Sequence, residues 1–202
     1  MKANFVKTII PTDQYKEVEE IGDLVICHFD PKEIAVTDGD GNETTMTECC
    51  EGSTQKDGYD PTAMQEAYGA WKARLDARSL AQAVQGKLSD IEAYDQSDKV
   101  NGFSLNGLTV WLDKATRVGL MNSTTIAKNM GQETTTVWFG GISMTIPCDT
   151  AIGMLSALEM YALACFNVTA GHKAAVQALT SVDEVMAYDY STNYPEQLSL
   201  SV

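Results

Sequence analysis

The 202-residue chain carries 28 acidic against 14 basic side chains, a net charge of −14, with 44% hydrophobic and 21% charged residues. That apolar fraction suits a packed globular protein and excludes large-scale disorder, while uniform acidity repels a phosphate backbone and argues against nucleic acid as a partner. No run approaches the ~18 consecutive apolar residues of a membrane span, and MKANFVKTIIPTDQYKEVEE has no apolar stretch of signal length before charges return. The expectation is a protein made in a cytoplasm and kept there, unless it leaves within a particle, with no membrane partner.

Residues 1 to about 52 read as a small β module. LVICHF, from Leu24 to Phe29, is a short β-rich run, and EIAVTDGDGNETTMTE reads as two strands around an Asp-Gly-Asp-Gly turn. EGSTQKDGYDP, from Glu51 to Pro61, reads as a polar linker ending in a helix start, with Asp60 as cap and Pro61 at the first helical position. A connector helix then runs to about Tyr94. Met64, Tyr68, Trp71 and Leu75 recur at helical spacing on one face, and Leu80, Val84, Leu88 and Ile91 mark a second, displaced face. Two stripes suit a helix that packs on one thing early and another later; a kink near Arg78 is the alternative.

One phrase then occurs twice: strand, tight turn, strand, capping aspartate. In FSLNGLTVWLD, Phe103 and Leu105, then Leu108 and Val110, flank Asn106-Gly107, residues that tolerate the positive φ of a type I′ turn. Asp113 opens a helix to about Met130, which Gly131 closes. In TTTVWFGGISMTIPCD, Thr134 to Phe139 is a strand, Gly140-Gly141 the turn and ISMTIP the return. Asp149 is expected to cap a helix whose buried face holds Leu155, Leu158, Ala162 and Phe166. Each hairpin should lie under the helix that follows, with Trp111 and Trp138 largely buried, and two such units can share one sheet and one core. Two shorter helices follow, from Thr169 to about Leu179 and from SVDE, where Ser181 and Glu184 fit a capping box. The end, YDYSTNYPEQLSLSV, should be extended on the surface. The fold class is α+β: an N-terminal β module (1–52), a linker and connector helix (53–93), and a C-terminal ββαββα domain with additional short helices (94–202).

Catalytic patterns are sparse. Asp38, Asp40 and Asn42 stand where a calcium loop begins, but the places needing Gly and a bidentate Glu hold Glu43 and Cys49, so a plain hairpin turn is favoured. Cys27-His28 and Cys49-Cys50 have the wrong spacing for zinc, because adjacent strand residues point to opposite faces. The five cysteines form an odd set and read as reduced, buried, chemically silent groups. NST at Asn122 and NVT at Asn167 match the glycosylation pattern without a secretion signal beside them. No catalytic, cofactor-binding or metal-binding residues emerge, and His28 and His172 sit in no motif. A protein of this kind acts through a surface. Met64, Tyr68, Trp71 and Leu75 are the candidate interface, since Trp and Tyr bury much area with few rotatable bonds; the alternative is that they pack on the chain's own β module. Self-association is a natural outcome.

VNGFSLNG, WLDKATR, TTTVWFGG, LSALEMYAL and YDY, spread over Ile91 to Leu198, carry a resemblance. This half of the chain resembles an uncharacterised domain of predicted tail and tail-fibre-associated proteins of bacteriophages and prophages, including those of gut Bacteroidales. The resemblance implies a non-enzymatic role as a tail component or a fibre-assembly accessory, with other tail or fibre proteins as partners. It implies a place in the host cytoplasm, or in the virion tail if structural. Two rivals stand beside it: a cytoplasmic bacterial binding module unrelated to phage, and a hydrolase using Cys27, Cys148 or Cys165 with a histidine.

Overall fold

The computed structural model describes residues 2–139 and 141–201, without the side chain of Ile142. Runs of alternating burial in the N-terminal part pair into an antiparallel sheet of β1 (Asn4–Pro11), β2 (Val18–Ile21), β3 (Leu24–Thr37) and β4 (Glu43–Gln55), in the order β1-β4-β3-β2. Between β3 and β4 the Asp38 carboxylate accepts the backbone N–H groups of Asp40 and Asn42, each at 2.9 Å. The aspartates thus build a hairpin turn. Glu51 to Gln55, expected as linker, is instead the end of β4. Its polar composition hides an alternation in which Gly52 and Thr54 are buried. Glycine is required at 52 because a Cβ would sit 2.6 Å from the Phe5 ring.

Asp60 accepts the Ala63 N–H at 2.8 Å and starts α1 (Pro61–Asp95), a single helix of 35 residues. The chain divides into two compact units, Met1–Ser79 and Leu80–Val202, with the division inside α1. In the first unit Met64 packs with Val25, Cys27, Phe5 and Phe29. In the second, Ile91 packs with Val176 and Val185, flanked by Leu80, Val84 and Leu88. The two stripes therefore serve two units.

The doubled ββα phrase is present in the second unit. After a short α2 (Asp98–Asn101) come β5 (Phe103–Leu105), β6 (Leu108–Val110) and α3 (Lys114–Asn129); then β7 (Thr134–Phe139), β8 (Ile142–Pro147) and α4 (Cys148–Gln177). Asn106 and Gly107 take φ of 50° and 83°, the left-handed pair that a type I′ turn needs. Of the second turn, Gly141 has φ of 94°, and Gly140 lies outside the described residues. α5 (Val182–Ala187) carries the expected Ser181–Glu184 capping box.

The two hairpins share a core but not a sheet: among the described residues β7 and β8 pair only with each other, whereas β5 is joined on its free side by the parallel β9 (Ser199–Leu200). The tail is thus stitched in as a strand, with Ser104 and Asn106 N–H groups donating to the Leu198 and Leu200 carbonyls. Phe103, Leu105, Val110, Leu112, Val137, Phe139 and Ile146 meet Ala151, Met154, Leu158, Tyr161 and Cys165 of α4.

Four expectations fail here, each for a geometric reason. Trp111 and Trp138 are 46% and 61% exposed, because the inward positions of a two-residue period are taken by Val110 and Leu112, and by Val137 and Phe139. α4 is one 30-residue helix rather than two, and Phe166 is 62% exposed. Its buried stripe runs through Leu158, Ala162, Cys165, Thr169, His172 and Val176, and Phe166 falls beside it. Asp149 does not cap α4, which starts one residue earlier, behind Pro147; it pairs with Lys128 instead.

Candidate functional site

In the first unit a bulge in β3 between Phe29 and Lys32 leaves Asp30 at φ 50°, and its carboxylate reaches α1. One oxygen accepts the Tyr68 hydroxyl at 2.7 Å and meets the Lys72 ammonium at 3.0 Å. The Tyr68 hydroxyl and then Lys72 hold the Asp30 carboxyl below the usual carboxylate range, while burial, helped by Asp30, pushes the Tyr68 phenol well up. The Tyr68 ring stacks on Phe29 at 4.2 Å, and Trp71 lies 5.6 Å from Phe5. Of the four expected interface residues, Met64 and Tyr68 are therefore buried within the unit. Trp71 is half-buried and Leu75 exposed, and together with Cys50 and Lys72 they line a shallow pocket of about 160 Å³.

Among the described residues, no hydrogen bond joins a thiol to an imidazole. His28 Nδ1 donates to the Lys16 carbonyl, and His172 places Nδ1 at 2.8 Å from the Tyr188 hydroxyl while Nε2 donates to the Thr192 carbonyl at 2.9 Å. Cys27 contacts the Tyr59 hydroxyl, Cys148 the Gln132 carbonyl and Cys165 the Val100 carbonyl. Burial raises the thiols of Cys49, Cys50 and Cys165. Among the described residues, then, these imidazoles hydrogen-bond oxygen atoms, and the raised thiols are poor nucleophiles.

A concavity of about 440 Å³ lies in the second unit and is lined by residues of α1, α2, the β6–α3 connection, α3 and α4. Just past β6, the alternation turns Trp111 outward. Asp113 accepts the Thr116 N–H at 2.9 Å and its hydroxyl at 2.6 Å, which starts α3 and brings Arg117 to face α4. Arg117, only 8% exposed, donates through Nε to Glu159 at 2.8 Å and through Nη1 to the Leu112 carbonyl at 2.7 Å. The guanidinium is thus consumed as a fixed wall. In the same lining, Trp111, Leu163 and Phe166 leave about half or more of their surface in solvent. The lining joins a fixed polar pair to exposed apolar side chains, which suits binding of a complementary surface. Sequence reasoning placed Trp111 and Phe166 in the core. Both could have been found: Trp111 alternates with Val110 and Leu112, and Phe166 is out of phase with Leu158, Cys165 and Thr169.

A family model described as a domain of unknown function, DUF4376, matches residues 80–192, more than half of the chain. The match starts where the second unit starts and contains the whole groove. No curated protein and no solved structure matches.

Proposed function

We propose that this chain, which belongs to the DUF4376 family, is a non-enzymatic phage tail-associated protein. In this reading it is a tail or tail-fibre component, or an accessory in fibre assembly. It is made in the host cytoplasm and binds other tail or fibre proteins through the groove of its second unit. The phage assignment rests on the resemblance over Ile91 to Leu198. The observation that carries action through a surface is the groove itself, where Trp111, Leu163 and Phe166 stand in solvent beside the fixed Arg117–Glu159 pair. Large aromatic side chains at a rigid site are the residues that dominate protein–protein affinity.

The test combines mass spectrometry of purified particles with affinity capture of the tagged chain from infected cells. The expected result is the chain within particles, or a fibre or tail chain captured with it, and loss of capture for Trp111→Ser with Phe166→Ser. Neither association nor capture would remove the phage reading. Capture unaffected by the double substitution would move the contact away from the groove.

A further inference from the structure

α4 has two faces with different uses. The inward stripe is core. The outward stripe is Ser156, Met160, Leu163, Asn167, Ala170 and Ala174, every one exposed, with Met160 at 66%. Their spacing alternates four and three, the seam along which one helix lies on another.

This face carries no charge. The charged side chains of α4 lie at its margins or its first turn and are used within the chain: Asp149 pairs with Lys128, Glu159 with Arg117 and Lys173 with Glu92. Within α4, 18 consecutive residues average a hydropathy of 1.5, with 39% of the window buried. A helix apolar well beyond the stripe its own core uses is one that something else covers.

We propose that a second copy of this chain covers it, with the two α4 helices antiparallel across a two-fold axis near Cys165. Charge selects the occupant first. Two copies at −14 each repel wherever their acidic surfaces meet, and on this face they meet no charge. A basic partner, by contrast, finds no carboxylate on it. Size selects the orientation. The N-terminal half of the stripe holds the large Met160 and Leu163, and the C-terminal half the small Ala170 and Ala174. Antiparallel pairing sets Met160 over Ala170 and Leu163 over Asn167, in both copies at once, as a two-fold contact requires, and only the outermost pair, Ser156 over Ala174, is small on small. Parallel pairing would set large on large and leave a gap at small on small. This contact shares Leu163 with the groove, but its test reads mass and cross-linking rather than capture of a tail or fibre chain.

The experiment is light scattering on the full chain across a concentration series, with vesicle flotation and a cross-linking arm. The expected mass is twice that of one chain, halved by Met160→Glu or by Ala170→Glu with the far-ultraviolet circular dichroism unchanged. Both side chains already face solvent, so folding is not at stake. A mixture of Ser156→Cys chains with Ala174→Cys chains should form a disulfide dimer under mild oxidation that neither chain forms alone; the native thiols are buried. A single-chain mass at every concentration overturns the proposal. So does a mass that ignores both glutamates, cross-linking within each batch but not in the mixture, or flotation with phosphatidylcholine vesicles as a single chain.

Discussion

Trp138 and Phe139 are neighbours on β7, and truncating the smaller should do the greater damage. Phe139 is 2% exposed and meets Phe103 edge-on, with centroids 6.3 Å apart and planes at 81°. Phe139→Ala should cost about 3–5 kcal/mol, the range for emptying an aromatic site in a core. Trp138 points the other way. With 61% of it exposed, the buried remainder of a ~250 Å² side chain is about 100 Å², worth at most roughly 2.5 kcal/mol at ~25 cal/mol per Å². The extended-chain reference overstates that area, and alanine keeps part of it, so Trp138→Ala should cost about 1 kcal/mol. Urea melts of the full chain, read by tryptophan emission in a Trp71→Phe background, isolate the second unit. In thermal melts the Phe139 loss should appear as a fall in Tm of roughly 10–20 °C. Equal losses at the two positions would mean that the alternation assigned to β7 is inverted.

Asp113→Ala removes the acceptor of the Thr116 N–H and hydroxyl and should lower the stability of the second unit by about 1 kcal/mol, with Asp113→Asn recovering most of it. Burial, and then the neighbouring Cys165 thiol, push the Tyr161 phenol up to about 12. The folded state therefore favours neutral Tyr161; its contribution is complete below the unfolded value of about 10 and drains as pH rises from there toward the folded value, by about 2–3 kcal/mol in total. Urea midpoints measured through that window should fall, and Tyr161→Phe, which also gives up the hydrogen bonds to the Val100 and Gly102 carbonyls, should start lower and fall less. All five cysteines are buried, so a thiol reagent should titrate none of them in the native protein and all of them in urea; one fast native thiol would contradict this.

What the sequence exposes most plainly are features decided within a few residues. The Asn106-Gly107 turn, the Asp60 and Asp113 caps and the Ser181–Glu184 box all appear where local chemistry demands them. The α+β class follows from them. What stays hidden is decided by distant partners. Thr169 and His172 interrupt the apolar period of α4, so a break there looks natural. Yet Thr169 donates to Asp95 at 2.6 Å and His172 is held by Tyr188 and Thr192, and these partners let polar groups sit inside a continuous helix. Alternation in β7 names two faces, one with Trp138 and one with Val137 and Phe139; only the position of α4 decides which is inside.

The same limit governs the site. A surplus of apolar residues marks an interface only after the core has taken its share, and that share depends on neighbours far away in the chain. On α1 the stripe of Met64 and Tyr68 looks like surplus until β1 and β3 bring Phe5 and Phe29 to it. On α4 the arithmetic runs the other way. LSALEMYALACF is apolar on more faces than one core can cover: Leu158, Tyr161 and Cys165 go inward, which leaves Met160, Leu163 and Phe166 outside however the rest packs. In a chain at −14, an uncharged outer face on a 30-residue helix departs from the charged remainder of the surface, which is why the proposed contact is put there.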